Sequence, residues 1–393
     1  MLHKINLPNC EEQFKKIFAF QRQVLAFACD PKTSLSAEGA IIEKEIYSKF
    51  SGALGDWLWR KLWIHKKKGS WEQSNLQKGL VKLIKEAQGN RTISLVVLDA
   101  FDHDIQFCNC FNNPTFEFWY KTRLNIPIQK ALKDLLEVFY TELLESGFPE
   151  AVHGNPKSFK RVDFVLEFWR VNNDLEVCPA CDGPRPDRIQ KQLGKGKNLR
   201  VERRISGNLD HFFPKAKYPF FSIHYANLVS VCEACNVSFK KEEDPVDPEN
   251  STQPLVHTFL PYLKPAMDNI EVKVTRNKEG VHLPSITEKD GTSSRRIDNL
   301  NRVFKLEKRW DDRLRYVIEK ILNRLSGEVR RLQRKTNKLN EQDLKDLLQD
   351  MLEDCINSQK GKIHNGILES SYLSFAIKDA AEIDLLFQLF TDS

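Results

Sequence analysis

No stretch of eighteen or more residues in this 393-residue chain is free of charged side chains. A bilayer-spanning helix needs about 20 mostly apolar residues, so no membrane span is expected. The N-terminal stretch from Met1 to Lys16 lacks an apolar core followed by small residues, and no secretion signal is expected there. Internal repeats and long low-complexity segments are also missing, which sets aside repeat arrays and disordered tracts. Nor is there a large excess of one charge: 60 Lys and Arg stand against 54 Asp and Glu, a net charge of +6. That balance permits a polyanionic partner without demanding one, and local clustering has to decide.

What remains is a globular composition, 41% apolar, 29% charged and 10% aromatic, in a chain long enough for two or three domains with a buried core. With no secretion signal expected, the nine cysteines are placed in a reducing cytoplasm. There, paired Cys-x-x-Cys motifs indicate metal before disulfide.

The pattern divides the chain into three segments within an α+β fold. Residues 1–172 read as mainly helical, with apolar residues at helical spacing through Phe14, Ile17, Phe18, Phe20, Val24 and Leu25, then Leu58, Leu62 and Ile64. The apolar run Thr92 to Asp99 reads as a strand, and Ile128 to Leu144 as helix again. Residues 173–265 gather Gly, Pro, Cys and Asn between short apolar runs, the pattern of a small site-bearing module of turns, a hairpin and one helix. Residues 266–393 begin with a hairpin carried by Ile270, Val272, Val274, Val281 and Leu283 and are otherwise helical and basic.

Two N-terminal clusters invite a functional reading and are better explained structurally. Asp99, Asp102, His103 and Asp104 lie at the end of the expected strand, where polar residues commonly serve solvation. Cys108 and Cys110 have no second pair nearby and fit burial as small apolar side chains. Cys178-Pro-Ala-Cys181 and Cys232-Glu-Ala-Cys235 are different. A two-residue spacer lets both thiolates of a knuckle face one ion, and two knuckles complete a closed tetrahedral shell. The expectation is a structural Zn²⁺, with an insertion of about fifty residues between the knuckles.

Beside the knuckles stand Asn208-Leu-Asp210-His211-Phe-Phe-Pro214, Tyr225-Ala-Asn227-Leu, and Cys232-Glu-Ala-Cys235-Asn236 running on to Phe239-Lys240-Lys241. This order resembles the HNH family of His-Me finger nucleases, whose ββα-metal module carries an Asp-His on a first strand, an Asn-Leu after the hairpin and a Cys-x-x-Cys-Asn entering a helix with a Lys. The resemblance covers about a quarter of the chain. Phosphodiester hydrolysis needs an activated water, neutralisation of the phosphate and a stabilised leaving oxygen. An imidazole with an ordinary pKa of about 6.5 can accept the water's proton, which is the role expected of His211. Asp210 and Asn236 offer the hard oxygens suited to a catalytic Mg²⁺ or Mn²⁺. As neighbours on a strand, Asp210 and His211 point to opposite faces, so a local bend has to bring Asp210 to the same site. The resemblance implies that Asn227 ties the loop that holds His211, and Lys240 could meet the phosphate as a point charge. His224 could be an auxiliary acid, though a half-buried loop histidine beside Tyr225 fits it better.

Between the first knuckle and Asp210, the basic residues Arg185, Arg188, Lys191, Lys195, Lys197, Arg200, Arg203 and Arg204 face only Asp182, Asp187 and Glu202. From Arg295 to Lys338, fifteen Lys or Arg stand against six Asp or Glu, over an apolar stripe from Leu300 to Leu332. This second run reads as a solvated helix face or as a clamp along a nucleic-acid backbone. Aromatics are not interleaved at stacking spacing, so backbone and shape recognition are expected. The function expected is that of an endonuclease acting on DNA. RNA, including tRNA, remains open, as does a zinc-stabilised binding or scaffold module with weak or no activity. The layout resembles nuclease effectors of prokaryotic anti-phage systems such as the Septu-type pairs, which implies an ATPase partner docked on the flanks. The aromatic-rich group of Phe50, Trp57, Trp59 and Trp63 is a candidate anchor for it.

Overall fold

The computed structural model describes residues 1–66, 69–88, 90–186, 188–193, 200–205, 208–246, 255–289, 294–336, 338–359 and 363–391. The architecture is α+β. Helices build both flanks, and the described strands pair into four two-stranded antiparallel sheets set among them.

The helix Glu11–Cys29 forms on the stripe seen in the sequence and buries Phe14, Ile17, Phe18, Phe20, Val24 and Leu25. It packs on the helices Asn75–Ala87 and Arg91–Asp104. Asn75–Ala87 in turn lies close against Ile126–Val138, and Gly79 sets that approach. A Cβ there would come within 2.9 Å of Leu135 Cα, so only glycine fits without the helices moving apart. Ser74 and Asn125 cap these two helices through their side-chain oxygens.

Two expectations are corrected in this region. Thr92 to Asp99 is not a strand but part of the helix Arg91–Asp104. Asn90 caps it by accepting from Thr92 N at 3.0 Å, and Val97, Ala100 and Phe101 are buried at helical spacing. Packing of that face overrides the strand preference of the β-branched run. The helical reading through Leu58, Leu62 and Ile64 ends early, because the helix Gly52–Lys61 stops and Ile64 falls on the short strand Trp63–His65. Phe50 is buried and Trp57, Trp59 and Trp63 are half-buried against the core, so this aromatic group is largely packed within the chain.

The C-terminal hairpin occurs as read, Ile270–Arg276 paired with His282–Glu288, and the helices Leu306–Thr336 and Gly366–Lys378 cover it. The 31-residue helix Leu306–Thr336 buries Trp310, Leu314, Val317, Ile321, Leu325 and Val329 along one stripe. Between the flanks, the strands Asn208–His211 and Leu228–Val231 form an antiparallel pair, and the short helix Ala234–Lys240 follows. Trp169 fastens this unit to the N-terminal helices by donating from Nε1 to Ser230 Oγ at 2.9 Å. One contiguous apolar core runs through all three sequence segments.

Candidate functional site

Cys178 and Cys181 sit on a tight turn closed by Cys178 N donating to Gly183 O at 2.8 Å. Cys232 follows the strand Leu228–Val231, and Cys235 lies in the first turn of the next helix. The four Sγ atoms all lie within 4.8 Å of one another. Cys178 to Cys235 and Cys181 to Cys232 each measure 3.9 Å. A tetrahedral zinc with bonds of about 2.3 Å sets its sulfurs about 3.8 Å apart, whereas a disulfide needs about 2.05 Å. The spacing is therefore that of a metal cage, and among the described residues it is the one cluster of three or more His, Cys, Asp or Glu side chains able to hold an ion.

The cage is embedded in groups from both ends of the chain. Cys232 N donates to Cys178 Sγ at 3.3 Å, and buried Arg309 donates from Nη1 to Cys235 Sγ at 3.3 Å while its guanidinium lies 4.1 Å from the Phe239 ring. Four thiolates around a dication would leave two negative charges, and Arg309 is placed to offset one of them. Trp310 Nε1 and Arg313 Nη1 donate to Cys181 O, each at 3.3 Å. Asp182, held at a φ of 57° just past the first knuckle, accepts from His3 Nε2 at 2.8 Å and from Ile367 N at 3.0 Å. Sequence reasoning placed Arg309 in a solvated or nucleic-acid-facing basic run. Nothing in its local pattern distinguishes it from its exposed neighbours.

Across the hairpin, Asp210 pairs with Val229 and His211 with Leu228. Asp210 is buried. Its Oδ1 accepts from Lys240 Nζ at 3.0 Å, while its Oδ2 has no hydrogen-bond partner. Burial pushes this carboxyl above the ordinary carboxylate range, against the pull of Lys240. Lys240 also donates to His211 O at 2.6 Å and is fully buried. The ammonium expected to meet phosphate thus points inward. A buried carboxylate with no cation would be costly, and the long lysine stem reaches back under the strand to supply one.

His211 Nε2 lies 2.8 Å from Ser222 O. A carbonyl only accepts, so Nε2 carries the hydrogen, and in a neutral imidazole Nδ1 then holds the lone pair. Burial lowers the His211 pKa to about 3, Lys240, Lys215 and Arg161 push the same way, and the Ser222 carbonyl opposes them. The ring is neutral at physiological pH. Asn227 is buried and closes the intervening loop on itself. Its Oδ1 accepts from Phe213 N at 2.6 Å, and its Nδ2 donates to Phe213 O and Phe221 O at 3.0 Å each. Asn236 is half-buried inside the Ala234–Lys240 helix. It is no N-cap, and its carbonyl accepts from Lys241 N at 3.0 Å, the wide spacing of a π turn.

Three residues beside His211 escaped sequence reasoning. Tyr140 comes from the π-helical segment Phe139–Leu144. Its hydroxyl donates to Leu209 O at 3.1 Å and its ring centroid lies 4.2 Å from that of His211 at 70°. Arg161 lies over the Tyr140 ring at 5.6 Å and pairs with Glu145 at 2.8 Å, its side chain 41% exposed. Lys215 pairs with Glu137. In the sequence Tyr140 was one more position of an apolar helical stripe, and the other two were ordinary surface charges.

The remaining candidates resolve into structural roles. His224 is buried where a half-buried position was expected. It faces Ile105 O at 3.1 Å, accepts from Ala226 N at 3.2 Å and lies against Phe18 and Tyr225, so neither nitrogen is free to carry a proton to a substrate. Asp102 pairs with Arg22 at 2.7 Å. Asp104 is buried and accepts from Trp119 N, Tyr120 N and His103 Nδ1. The His103 ring stacks on Trp119 at 3.9 Å. Cys108 and Cys110 are half-buried against the core. In the basic insertion, Arg188–Leu193 pairs antiparallel with Arg200–Ile205, which places Lys191, Arg203 and Arg204 on this ladder. Lys195 and Lys197, like Asp187, lie outside the described residues. Arg185 is held by Glu176 at 2.8 Å and lies 4.4 Å from the Trp169 ring.

Compared with family models, with curated proteins and with solved structures, the chain matches none.

Proposed function

We propose that the chain is a metal-dependent endonuclease of the HNH kind that hydrolyses phosphodiester bonds in DNA. One observation carries the reading: a buried Asp210 with an unpartnered oxygen is followed on its strand by a neutral His211 whose Nε2 is held by Ser222 O, on a strand–strand–helix unit next to a four-cysteine cage. The cage would hold a structural Zn²⁺. Asp210 Oδ2 and the Asn236 amide oxygen would hold a Mg²⁺ or Mn²⁺, a thin protein donor set of the kind magnesium accepts because it keeps waters and phosphate oxygens. Such an ion, when bound, neutralises the phosphate and stabilises the leaving oxygen.

The chain's own groups do the rest. His211 Nδ1 takes the proton of the attacking water. Burial is the main cause of its low affinity for that proton, and the charge of an arriving phosphate raises the affinity by offsetting the smaller contributions of Lys240, Lys215 and Arg161. Ser222 O and the Tyr140 ring fix the imidazole plane, Asn227 holds the loop, and Lys240 opposes the burial that raises the Asp210 carboxyl. Plasmid nicking over a magnesium and manganese series tests the assignment. Asp210→Ala and Asn236→Ala should both weaken the metal response, with at least one partly rescued by more metal. Asn227→Ala should lower activity at every metal concentration, and metal rescue of Asn227→Ala would mean that the two asparagines are exchanged.

The chemistry does not use a 2′-hydroxyl, so tRNA and other RNA substrates belong in the same assay. The closed Lys240–Asp210 pair favours one other reading, a zinc-stabilised nucleic-acid-binding module without activity, and absence of nicking under every metal condition would establish it. We further propose that the nuclease works in the cytoplasm as an effector of anti-phage defence with a protein partner such as an ATPase subunit. Exposed Ile356, Leu385 and Leu389 on the C-terminal helices support such docking. Light scattering on the purified chain, alone and co-expressed with genomic neighbours, checks this. A monodisperse monomer indifferent to all of them would rule the partner out.

A further inference from the structure

Burial holds the pKa of His211 down, and the charges of Lys240, Lys215 and Arg161 add to the effect. Lys240 is fully buried and already committed to Asp210 Oδ1 and His211 O. The other two reach the surface, with the Lys215 side chain 27% and the Arg161 side chain 41% exposed. Cations beside a base weaken it, and an anion arriving among them reverses that loss. Such a setting suits a base that works only when an anion is bound.

One segment of the N-terminal flank holds both exposed cations. The helix Ile126–Val138 runs directly into the π-helical turn Phe139–Leu144. Along it, Glu137, Tyr140 and Glu145 each meet a group of the site. Glu137 pairs with Lys215, which stands in the loop after the strand Asn208–His211. The Tyr140 hydroxyl donates to Leu209 O at 3.1 Å, and its ring lies 4.2 Å from that of His211. Glu145 pairs with Arg161 at 2.8 Å, and the Arg161 guanidinium lies 5.6 Å from the Tyr140 ring. Burial raises the pKa of the Tyr140 hydroxyl, and Arg161 opposes the rise. Arg161 is the first residue of the helix Arg161–Val171, so its backbone is fixed while its side chain stays at the surface.

We propose that Arg161 and Lys215 form the phosphate-binding rim of this site, with Glu145 and Glu137 as resting partners that a nucleic-acid backbone displaces. The identity of the ligand rests on the nuclease reading, and the rim supplies what Lys240 cannot from its buried position. Exposed ion pairs are worth little, so each cation exchanges its carboxylate readily. A single small anion competes with two tethered carboxylates, whereas a backbone brings several phosphates at once and engages both cations together. The guanidinium fork of Arg161 can grip two oxygens of one phosphate, and Lys215 acts as a point charge. Arg161 comes from outside the central module, which gives the N-terminal flank a part in holding substrate.

The test uses the full zinc-bearing chain in magnesium-free buffer, with fluorescence anisotropy on a labelled duplex of about 20 base pairs over a salt series. Arg161→Gln and Lys215→Gln should each weaken binding about 10-fold and lower the salt dependence by about one log unit per log unit of salt. Arg161→Lys should keep the salt dependence and lose only part of the affinity. Glu145→Gln and Glu137→Gln should act in the opposite direction, tightening binding about 2- to 5-fold because each releases a cation. Arg161→Gln and Glu145→Gln break the same ion pair, so a purely structural pair would give the same change in both. Arg22→Gln is the matched control, since Arg22 pairs with Asp102 at 2.7 Å at similar exposure, and its binding should equal wild type. Melting temperatures should stay close to wild type, because neither cation is fully buried.

Duplex affinity unchanged in either Arg161→Gln or Lys215→Gln would overturn the proposal, as would a wild-type chain that does not bind the duplex. An equal loss in Arg22→Gln would overturn it by reducing the effect to net charge. Binding weakened alike in Glu145→Gln and Arg161→Gln would do so by making the pair structural. Binding that depends on both cations in a chain that never nicks would refute the nuclease reading alone. Nicking with binding indifferent to Arg161 and Lys215 would refute this proposal alone.

Discussion

His211→Ala is expected to lower phosphodiester cleavage by about 10²- to 10⁴-fold, the usual cost of removing a general base. Zinc content and nucleic-acid affinity should stay close to wild type, because the imidazole is assigned no metal and no phosphate. The substitution leaves Ser222 O without its donor, a loss of about 1–3 kcal/mol that a thermal melt would register. His211→Gln separates the two effects, since an amide can still donate to that carbonyl without serving as the base. The expected pattern is therefore two variants equally poor in nicking, with the glutamine variant the more stable. Full activity in His211→Ala would remove this residue from the chemistry and the HNH reading with it.

Cys178→Ser or Cys232→Ser should have the largest effect on the fold. Metal held by four thiolates contributes to folding directly, with apparent values of about 10–16 kcal/mol for structural zinc in small modules. Here the cage also anchors distant segments. Arg309 and Trp310 of the long C-terminal helix meet it, and Asp182 joins His3 to Ile367 beside it. Losing one thiolate leaves the guanidinium of Arg309 buried with less charge to face, so disruption should spread from the knuckles into the C-terminal helices. Elemental analysis should show about one zinc per wild-type chain, retained on dialysis, and none or a weakly held ion in either variant. Circular dichroism should show a lower or broadened melt, and nicking should fall as a consequence. A variant that has lost zinc yet melts like wild type would show that the cysteines only happen to lie close together.

Arg309 shows where local sequence ceases to inform. Its charge and helical position are those of any solvated basic residue, and only the approach of a helix 74 residues from Cys235 turns it toward a sulfur. Lys240 is similar. Its place one turn past Asn236 suggests an outward ammonium, whereas the carboxylate of Asp210, 30 residues earlier, draws it inside. Tyr140 reaches the site from 69 residues before Leu209, on a segment whose sequence shows only an apolar stripe. The run Thr92 to Asp99 carries β-branched residues that suit a strand, yet its apolar positions also fit a helix, and the neighbouring helix Glu11–Cys29 decides between them.

Other features needed no partner to be read. The two Cys-x-x-Cys knuckles declare themselves because two residues is the span over which both thiolates can reach one ion. The stripe Phe14 to Leu25 and the hairpin from Ile270 to Glu288 are visible because backbone geometry alone sets periods of 3.6 and 2. The sequence by itself thus determined the four thiols able to hold a metal, the helical stripes and the order of Asp210, His211, Asn227 and Asn236. Only tertiary structure decided which charges are buried and which histidine nitrogen holds its lone pair. Those depend on desolvation and on contacts between segments far apart in the chain, and neither is encoded in the spacing of neighbouring residues.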